Sequence, residues 1–232
     1  MKKLAIITAR GGSKRIPRKN IRNFADKPII EYSITAALES GEFDEIMVST
    51  DDEEIAKVAS LAGAKIPFLR SEKTANDYAT TANVIQEVLE EYRKLGMDFE
   101  YACCIYPTAP FISGKHLTQA MDVLIKEHAD SVVPVIRFSF PPQRSLVLKE
   151  GRLEPKWPQY AMMRSQDLEP EYHDAGQFYC FNIKSFLKQN TLIMKNTYPI
   201  ILSEMEVQDI DNEEDWLLAE QKYQFLSKKR TL

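Results

Sequence analysis

Hydrophobic positions near the start of the chain follow two alternating periods. Short, mostly β-branched runs at Leu4–Ile7 and Glu45–Ser49 predict buried strands. Pro28–Ser40 and the segment from Ile55 to Ala62 instead place their apolar side chains at helical spacing. The order strand, helix, strand, helix predicts parallel strands that bind ligands beyond their carboxyl ends.

The same alternation continues to residue 136. Helical spacing recurs over residues 82–92 and 115–128, and apolar strands are predicted at 101–106 and 131–136. Later, a strand returns at 177–183, and a last helix is predicted to begin near Asn212 or Glu213. These elements predict one α/β domain over residues 1–232, with a single, mostly parallel, Rossmann-like sheet flanked by helices.

Residues from about 137 to 175 interrupt this pattern. They hold five prolines, Trp157 and the pair Met162-Met163, without a sustained period of either kind. We interpret them as an irregular insertion that leaves the sheet. Exposed apolar residues on a protruding arm favour a homodimer contact, although a loop packed on its own domain fits the composition equally well.

Composition narrows the class of protein. The chain has 34 acidic against 30 basic residues and a net charge of −4, which disfavours a general nucleic-acid binder. No apolar run approaches the ~18 residues of a membrane span, and Arg10 ends the first one before it reaches the length of a secretory segment. The three cysteines lack zinc-site spacing, and we expect buried, reduced thiols in a cytoplasmic protein.

The densest candidate chemistry follows the first predicted strand. Between Arg10 and Arg22 there are six Lys or Arg residues and no acid. The paired glycines Gly11 and Gly12 allow backbone N–H groups to turn toward an anion. Five of the cations could neutralise the roughly four charges of a nucleoside triphosphate: Arg10, Lys14, Arg15, Arg18 and Lys19. Neither the P-loop nor the dinucleotide pattern is present, and a solvated basic face remains the alternative.

A second candidate lies near the carboxyl end of the chain. Asp209 and Asp211 are two positions apart, so both carboxylates point to one side of an extended segment. Such a pair suits Mg²⁺, which binds one or two carboxylates together with phosphate oxygens and water. A helix N-cap at Asp211 or Asn212 explains the same residues equally well.

These motifs resemble the CMP-sialate synthetases, a family of cytidylyltransferases. The resemblance covers nearly the whole chain and rests on several blocks of sequence: Arg10-Gly11-Gly12-Ser13-Lys14, Ile16-Pro17-Arg18-Lys19-Asn20, Ser49-Thr50-Asp51-Asp52, Tyr106-Pro107-Thr108, Arg164-Ser165-Gln166 and Asp209-Ile210-Asp211. The segments at Phe138-Ser139-Phe140-Pro141 and from Tyr172 to Tyr179 resemble most the branch that acts on pseudaminic acid. The resemblance implies a fold of the nucleotide-diphospho-sugar transferase type and a homodimeric assembly.

The resemblance also implies roles for individual residues. The phosphates and ribose of CTP would be held by Arg10, Gly11, Gly12, Ser13, Lys14, Lys19 and Asn20. The cytidine would lie near Arg70, Asp77, Thr80 and Thr81. Mg²⁺ would bind Asp209 and Asp211, and catalysis would depend on these two acids together with Arg10 and Lys19. Taken alone, Arg70 could also be a surface cation beside a helix.

The acceptor implied is an acidic nine-carbon 2-keto sugar. The candidates to bind it are Arg164, Gln166, His173, Gln177 and Tyr179, because Arg suits a carboxylate and amides suit N-acyl and hydroxyl groups. A structural hydrogen bond explains His173 equally well. We expect CTP-dependent activation of pseudaminic acid, with sialate, legionaminate or 3-deoxy-manno-octulosonate as alternative acceptors and a non-catalytic nucleotide-binding regulator as the rival class.

Overall fold

A computed structural model describes residues 1–230 of the chain. The strands are β1 (Lys3–Thr8), β2 (Asn23–Phe24), β3 (Lys27–Pro28), β4 (Glu45–Ser49), β5 (Tyr101–Ile105), β6 (Ser131–Arg137), β7 (Leu146–Lys149), β8 (Arg152–Pro155), β9 (Tyr172–Asp174), β10 (Phe178–Asn182) and β11 (Thr197–Ile201). The helices are α1 (Ile29–Ser40), α2 (Glu53–Leu61), α3 (Glu72–Ala75), α4 (Thr81–Lys94), α5 (Gly114–Lys126), α6 (Ile183–Gln189) and α7 (Glu213–Arg230).

Seven strands form the main sheet, and most of them are parallel, as the alternation predicted. Their order is β11-β6-β10-β5-β1-β4, and β9 pairs with the distal half of β6. Strands β1, β4, β5, β6 and β11 are parallel, whereas β9 and β10 are antiparallel to their neighbours. The carboxyl ends of β1, β4 and β5 therefore meet at one edge, where an open α/β sheet binds its ligands.

Both faces of the sheet are buried, because successive side chains of a strand point to opposite faces. In β1, Ala5 and Ile7 belong to the core shared with α1 and α5. Leu4 and Ile6 belong to the core shared with α4 and α6. A third cluster includes Trp216 of α7 and fixes that helix beside the loop that follows β1.

Most predicted elements occur within two residues of their expected bounds, and the predicted strand Glu45–Ser49 matches β4. Part of residues 137–175, which we interpreted as an irregular insertion, has regular structure. The segment contains the β7–β8 hairpin and strand β9. The hairpin turn places Glu150 and Gly151 at φ values of 48° and 77°. A non-glycine residue at positive φ is an uncommon turn residue, so the sequence gives little indication of this hairpin.

The three cysteines are buried and free, as predicted. Cys103 in β5 lies directly opposite Cys180 in β10, and their Sγ atoms are 3.1 Å apart. Burial raises the pKa of Cys104 to about 12, which is typical of an unreactive thiol in a core. Within residues 1–230, no helix has both the length and the apolar character needed to cross a bilayer.

Candidate active site

Two adjoining cavities open at the carboxyl edge of β1, β4 and β5. The larger measures about 470 Å³ and the smaller about 210 Å³, and both are lined by Thr8 and Arg10. The phosphate loop, which we define as residues 9–20, supplies most of the larger cavity's wall. Arg70, Asp77 and Thr81 line the smaller one. The two cavities together form a cleft with a strongly cationic side.

The end of β4 holds the first turn of the phosphate loop. The Gly11 N–H donates to Asp51 Oδ1 at 2.9 Å. A Cβ added to Gly11 would lie 2.7 Å from Asp52 Oδ2, so this close approach requires glycine. Open space surrounds the corresponding position at Gly12. Gly11 therefore serves the attachment of the loop to β4, and its N–H group already has a partner.

The last turn of the phosphate loop is attached to the same strand end. Arg18 has a left-handed backbone with φ of 55°. Its guanidinium donates to both oxygens of Asp52 at 2.5 and 3.0 Å, and also to Glu54. The pKa of Asp52 is lowered, first by the hydrogen bond from Arg18 and then by N–H donors from Ile55 and Glu54. Two consecutive acids thus fix both ends of the loop.

This arrangement corrects one expectation. Arg10, Lys14, Arg15 and Lys19 line the larger cavity, but Arg18 does not. Its side chain is turned toward the acids at the start of α2, where the carboxylates of Asp52 and Glu54 accept its hydrogen bonds. Four of the five candidate cations remain at the cavity, and Arg18 supports the loop.

The cations at the cavity are paired with groups from other elements. Arg10 donates to Asp77 Oδ1 at 2.7 Å, and Lys14 donates to Asp77 Oδ2 at 2.5 Å. The Lys19 ammonium donates to the Ile210 carbonyl at 2.6 Å, and burial lowers its pKa. Inside the loop, the amide of Asn20 donates to the Arg10 carbonyl at 2.9 Å and the Ser13 N–H donates to the Gly11 carbonyl at 2.9 Å.

Asp209 and Asp211 lie against the phosphate loop, although about 190 residues separate them in sequence. Ile210 between them is 1% exposed and packs into the third core cluster. Neither acid lines either cavity, but the charges of both interact with Lys19 of the phosphate loop. Asp211 Oδ1 lies 2.7 Å from Arg15 Nη2. The structure thus brings together the two candidate motifs found in the sequence.

The structure also separates the cap from the acids. Asn212 Oδ1 accepts the N–H of Asp215 at 3.0 Å, which makes Asn212 the N-cap of α7. The carboxylate of Asp215 in turn accepts the N–H groups of Asp211 and Asn212. The side chain of Asp211 is therefore not needed to begin the helix. Of the two residues considered as the N-cap, the structure uses Asn212.

The donor set of this acidic pair fits a magnesium ion. Partial desolvation in the cleft raises the pKa of Asp209, and the adjacent charge of Asp211 raises it further. Two carboxylates facing the same side can share a hard cation whose other ligands are phosphate oxygens and water. Across the described residues 1–230, no group of three or more His, Cys, Asp or Glu residues could enclose a metal alone. Such a site would depend on the nucleotide for its remaining ligands.

Arg70 is a buried cation and not a surface one, as it is only 8% exposed. Its Nε donates to Ser49 Oγ at 3.0 Å and its Nη2 donates to the Ser49 carbonyl at 2.6 Å. These bonds fix the guanidinium in the wall of the smaller cavity. Of the two predicted threonines, Thr81 lines this cavity, whereas Thr80 caps α4 through a reciprocal pair of bonds with Asn83.

The predicted acceptor residues lie elsewhere. Gln177 is 2% exposed and donates to the Glu206 carbonyl at 2.7 Å, and the buried Tyr179 hydroxyl donates to Asp174 at 2.7 Å. His173 Nδ1 lies 3.0 Å from the Asp174 carbonyl. The remaining two candidates, Arg164 and Gln166, belong to the inserted segment. None of the five lines either cavity.

Tyr106 is a cleft residue that the sequence did not single out for a role. It lines the larger cavity, and its hydroxyl lies 3.2 Å from Thr81 Oγ1 in the smaller one. Its ring packs edge-on against Tyr179 at 5.6 Å, and Ser33 donates to its carbonyl at 2.8 Å. Two sequence features point to it: its position at the end of a buried strand before Pro107, and its place in the block Tyr106-Pro107-Thr108 that carries the family resemblance.

Comparison with known proteins gives consistent results. Residues 4–222 match the model of the family described as Cytidylyltransferase. A pseudaminic acid cytidylyltransferase of Campylobacter jejuni is 41% identical over 216 residues, which cover 93% of each chain. A CMP-N,N'-diacetyllegionaminic acid synthase of Legionella pneumophila is 34% identical and covers 95% of each chain. The structure of a CMP:2-keto-3-deoxy-manno-octonic acid synthetase in complex with CTP superposes with a TM-score of 0.69 at 15% identity, covering 98% of this chain and 100% of the other.

Proposed function

The chain belongs to the cytidylyltransferase family, and we propose that it uses CTP to activate pseudaminic acid, giving a CMP-sugar and pyrophosphate. The choice of acceptor rests on the 41% identity with the pseudaminic acid cytidylyltransferase of Campylobacter jejuni. A nine-carbon acid of the legionaminic or N-acetylneuraminic type is the second candidate. It is supported by the 34% identity with the diacetyllegionaminic acid synthase.

The observation that carries the proposal is the meeting of the phosphate loop with Asp209 and Asp211. The loop offers cationic side chains, and the two acids offer ligands for a bound magnesium ion. A triphosphate in the larger cavity would interact with the cationic side chains and with that ion. Arg15 and Lys19 already join the two segments through Asp211 and the Ile210 carbonyl, at 2.7 and 2.6 Å. A protein that only sensed a nucleotide would have little use for a second, acidic half of the site.

We assign the nucleotide to the cleft as follows. The cytidine base lies in the smaller cavity beside Arg70 and Thr81, and the phosphates lie along the larger one. The smaller cavity has a volume of about 210 Å³, which favours a small base. The loop residues proposed to hold phosphates and ribose are Arg10, Gly12, Ser13, Lys14, Lys19 and Asn20, with Gly11 shaping the turn.

In the reaction, the anomeric hydroxyl of the acceptor gives its proton to solvent as its oxygen forms a bond to the α-phosphorus of CTP. The bond between the α-phosphorus and the oxygen that bridges it to the β-phosphorus breaks, and pyrophosphate leaves. Arg10 and Lys19 stabilise the charge that develops on the phosphates, and the rigid loop positions them without reorganisation. Magnesium, held by Asp209 and Asp211, would supply further neutralisation of the triphosphate.

We further propose that the protein is a homodimer and acts in the cytoplasm, where CTP is made. The arm, which we define as residues 138–171, exposes several large apolar side chains. Arg164 and Gln166 lie on this arm and outside the cleft of their own chain. In the dimer that we propose, they reach the acceptor site of the second copy of the chain.

Pyrophosphate release tests the proposal. The purified protein is supplied with CTP, Mg²⁺ and one acceptor at a time from a panel of acidic sugars. We expect release with pseudaminic acid, less or none with the other acceptors, and none without a divalent cation. Release with legionaminic acid alone would favour the second candidate, and tight CTP binding without release from any acceptor would contradict an enzymatic role.

A further inference from the structure

Asp77 forms ion pairs with two of the cations that line the larger cavity. Its two carboxylate oxygens accept from Arg10 Nη1 at 2.7 Å and from Lys14 Nζ at 2.5 Å. We propose that Asp77 is a specificity-determining residue that competes with the polyphosphate for Arg10 and Lys14. A ligand must then bring its own anionic group to these two cations to displace it. The inference rests on the proposed function, because it concerns the same cleft.

The position of Asp77 makes it a competitor and not a ligand. It lies in the segment between α3 and α4 that forms a wall of the smaller cavity, whereas Lys14 belongs to the larger one. Its carboxylate therefore lies where the two cavities join. A phosphate group in contact with Arg10 and Lys14 would carry the same sign of charge as Asp77. Like charges repel, so the Asp77 carboxylate and a phosphate group cannot both bind the same two cations.

The carboxylate is held in place by the shape of its segment. Asn76 Oδ1 accepts the N–H groups of Tyr78 and Ala79 at 2.8 and 3.0 Å. The Asn76 carbonyl also accepts from Arg10 Nη1 at 3.3 Å. The turn that presents Asp77 is thus ordered by its own bonds, and displacement of the carboxylate can leave the turn itself intact.

Asp77 is ionised when the cleft is empty. Lys14 first, and then Arg10, lower the pKa of its carboxyl group. The side chains of Asp77, Arg10 and Lys14 are 43%, 39% and 77% exposed, so water and an incoming ligand can reach all three. Exposed ion pairs of this kind are weak, which allows a polyphosphate to replace them.

The exchange has two consequences for the reaction. A ligand that does not reach Arg10 and Lys14 does not compete with Asp77 for these cations. A triphosphate or pyrophosphate binds less tightly than the cations alone would allow. As pyrophosphate leaves, Asp77 takes back the two cations and thereby hinders rebinding.

Calorimetric titration of the full chain with inorganic tripolyphosphate, CTP and cytidine tests this inference. The variants are Asp77→Asn, which removes the charge, and Asp77→Glu, which keeps it. Asp98→Asn is the matched control, because Asp98 is 82% exposed and pairs only loosely with Arg93 at 3.9 Å. We expect Asp77→Asn to tighten tripolyphosphate and CTP binding by about 3- to 30-fold, as the loss of two exposed ion pairs implies.

The pattern across ligands and variants decides the outcome. Asp98→Asn should bind tripolyphosphate as the unaltered protein does, and Asp77→Glu should bind it no more tightly. Any change in cytidine affinity on Asp77→Asn should be smaller than the change in tripolyphosphate affinity. Unchanged or weaker tripolyphosphate binding by Asp77→Asn, or no binding by any of the proteins, would overturn the inference. The proposed function fails separately, if CTP binds no better than tripolyphosphate or if other nucleoside triphosphates bind as tightly as CTP.

Discussion

Asp209 is a carboxylate whose charge is unfavourable in the free protein. Partial desolvation and the neighbouring Asp211 raise its pKa. A carboxyl group with a raised pKa binds its proton more tightly in the native than in the unfolded state, so its ionised form lowers stability at neutral pH. A cation bound between the two acids would remove this disadvantage. The ionised Asp209 side chain therefore lowers the stability of the free protein and is explained by a function other than folding.

Asp209→Asn should separate activity from stability. We expect the rate of pyrophosphate release to fall by about 100-fold or more, as for other losses of transition-state charge stabilisation. The melting temperature at pH 7 should equal or exceed that of the unaltered protein, since the unfavourable charge is gone. Asp122→Asn, on the exposed side of α5, is the control for both measurements. A near-normal rate for Asp209→Asn at low Mg²⁺ would refute the metal assignment.

Arg70 shows how a single side chain can be fixed before the nucleotide arrives. Two of its nitrogen atoms are bound to Ser49, and the residue is almost fully buried. Lysine cannot reproduce this planar, forked geometry. We expect Arg70→Lys to raise the KM for CTP by about 10-fold with a smaller effect on kcat. Arg93→Lys, at a 63% exposed side chain on α4, should leave the KM unchanged. Equal KM values for the two variants would mean that Arg70 does not contact the nucleotide.

At the scale of elements, the phosphate loop depends on the strand beside it. Asp51 and Asp52, which follow β4, bind Gly11 and Arg18 at opposite ends of the loop. The sequence predicted the loop and the strand separately. It could not predict their pairing, because contacts across 34 to 40 residues depend on how the sheet is assembled. For the same reason Arg18 was assigned to the phosphates and not to Asp52.

Asp52→Asn should reveal this attachment through its pH dependence. Asparagine is as good an N-cap as aspartate, so the change mainly removes the ion pair with Arg18. We expect a loss of about 1 kcal/mol in the free energy of unfolding at pH 7. Because the native pKa of Asp52 is lowered, its contribution is complete above the unfolded pKa of about 3.9 and disappears as the pH falls through the native value.

Urea denaturation at several pH values between 7 and 2 measures this difference. The two proteins should approach equal stability at the acid end of the range. A stability difference that stays constant over the whole range would show that the Asp52 charge is not its origin.

At the scale of the whole molecule, the nucleotide side of the cleft was more predictable than the acceptor side. The phosphate loop directly follows β1 and the two late acids directly precede α7, which are elements with strong patterns, and the structure brings both near one edge of the sheet. Gln177 and Tyr179 were chosen by residue type, yet they are buried and already have partners. Arg164 and Gln166 lie on the arm, whose position in an assembly a single sequence does not determine.

The arm gives a direct prediction about assembly. Leu148 and Leu153 lie opposite each other in the β7–β8 hairpin and are 72% and 66% exposed. If the arm is a dimer contact, the protein should sediment at twice its chain mass of 26.7 kDa. Leu148→Glu should shift it to monomer by placing a charge in an apolar contact. Leu61→Glu changes an 80% exposed leucine of α2 and should remain dimeric. A monomeric parent protein would exclude the dimer.

The most direct measurement of the central claim is a competition for limiting CTP. Equimolar pseudaminic, legionaminic and N-acetylneuraminic acids are incubated with the protein, CTP and Mg²⁺, and the CMP-sugars are identified by mass. We expect CMP-pseudaminic acid to form predominantly and Asp209→Asn to form none above background. Preferential formation of either other CMP-sugar, or of no CMP-sugar at all, would contradict it.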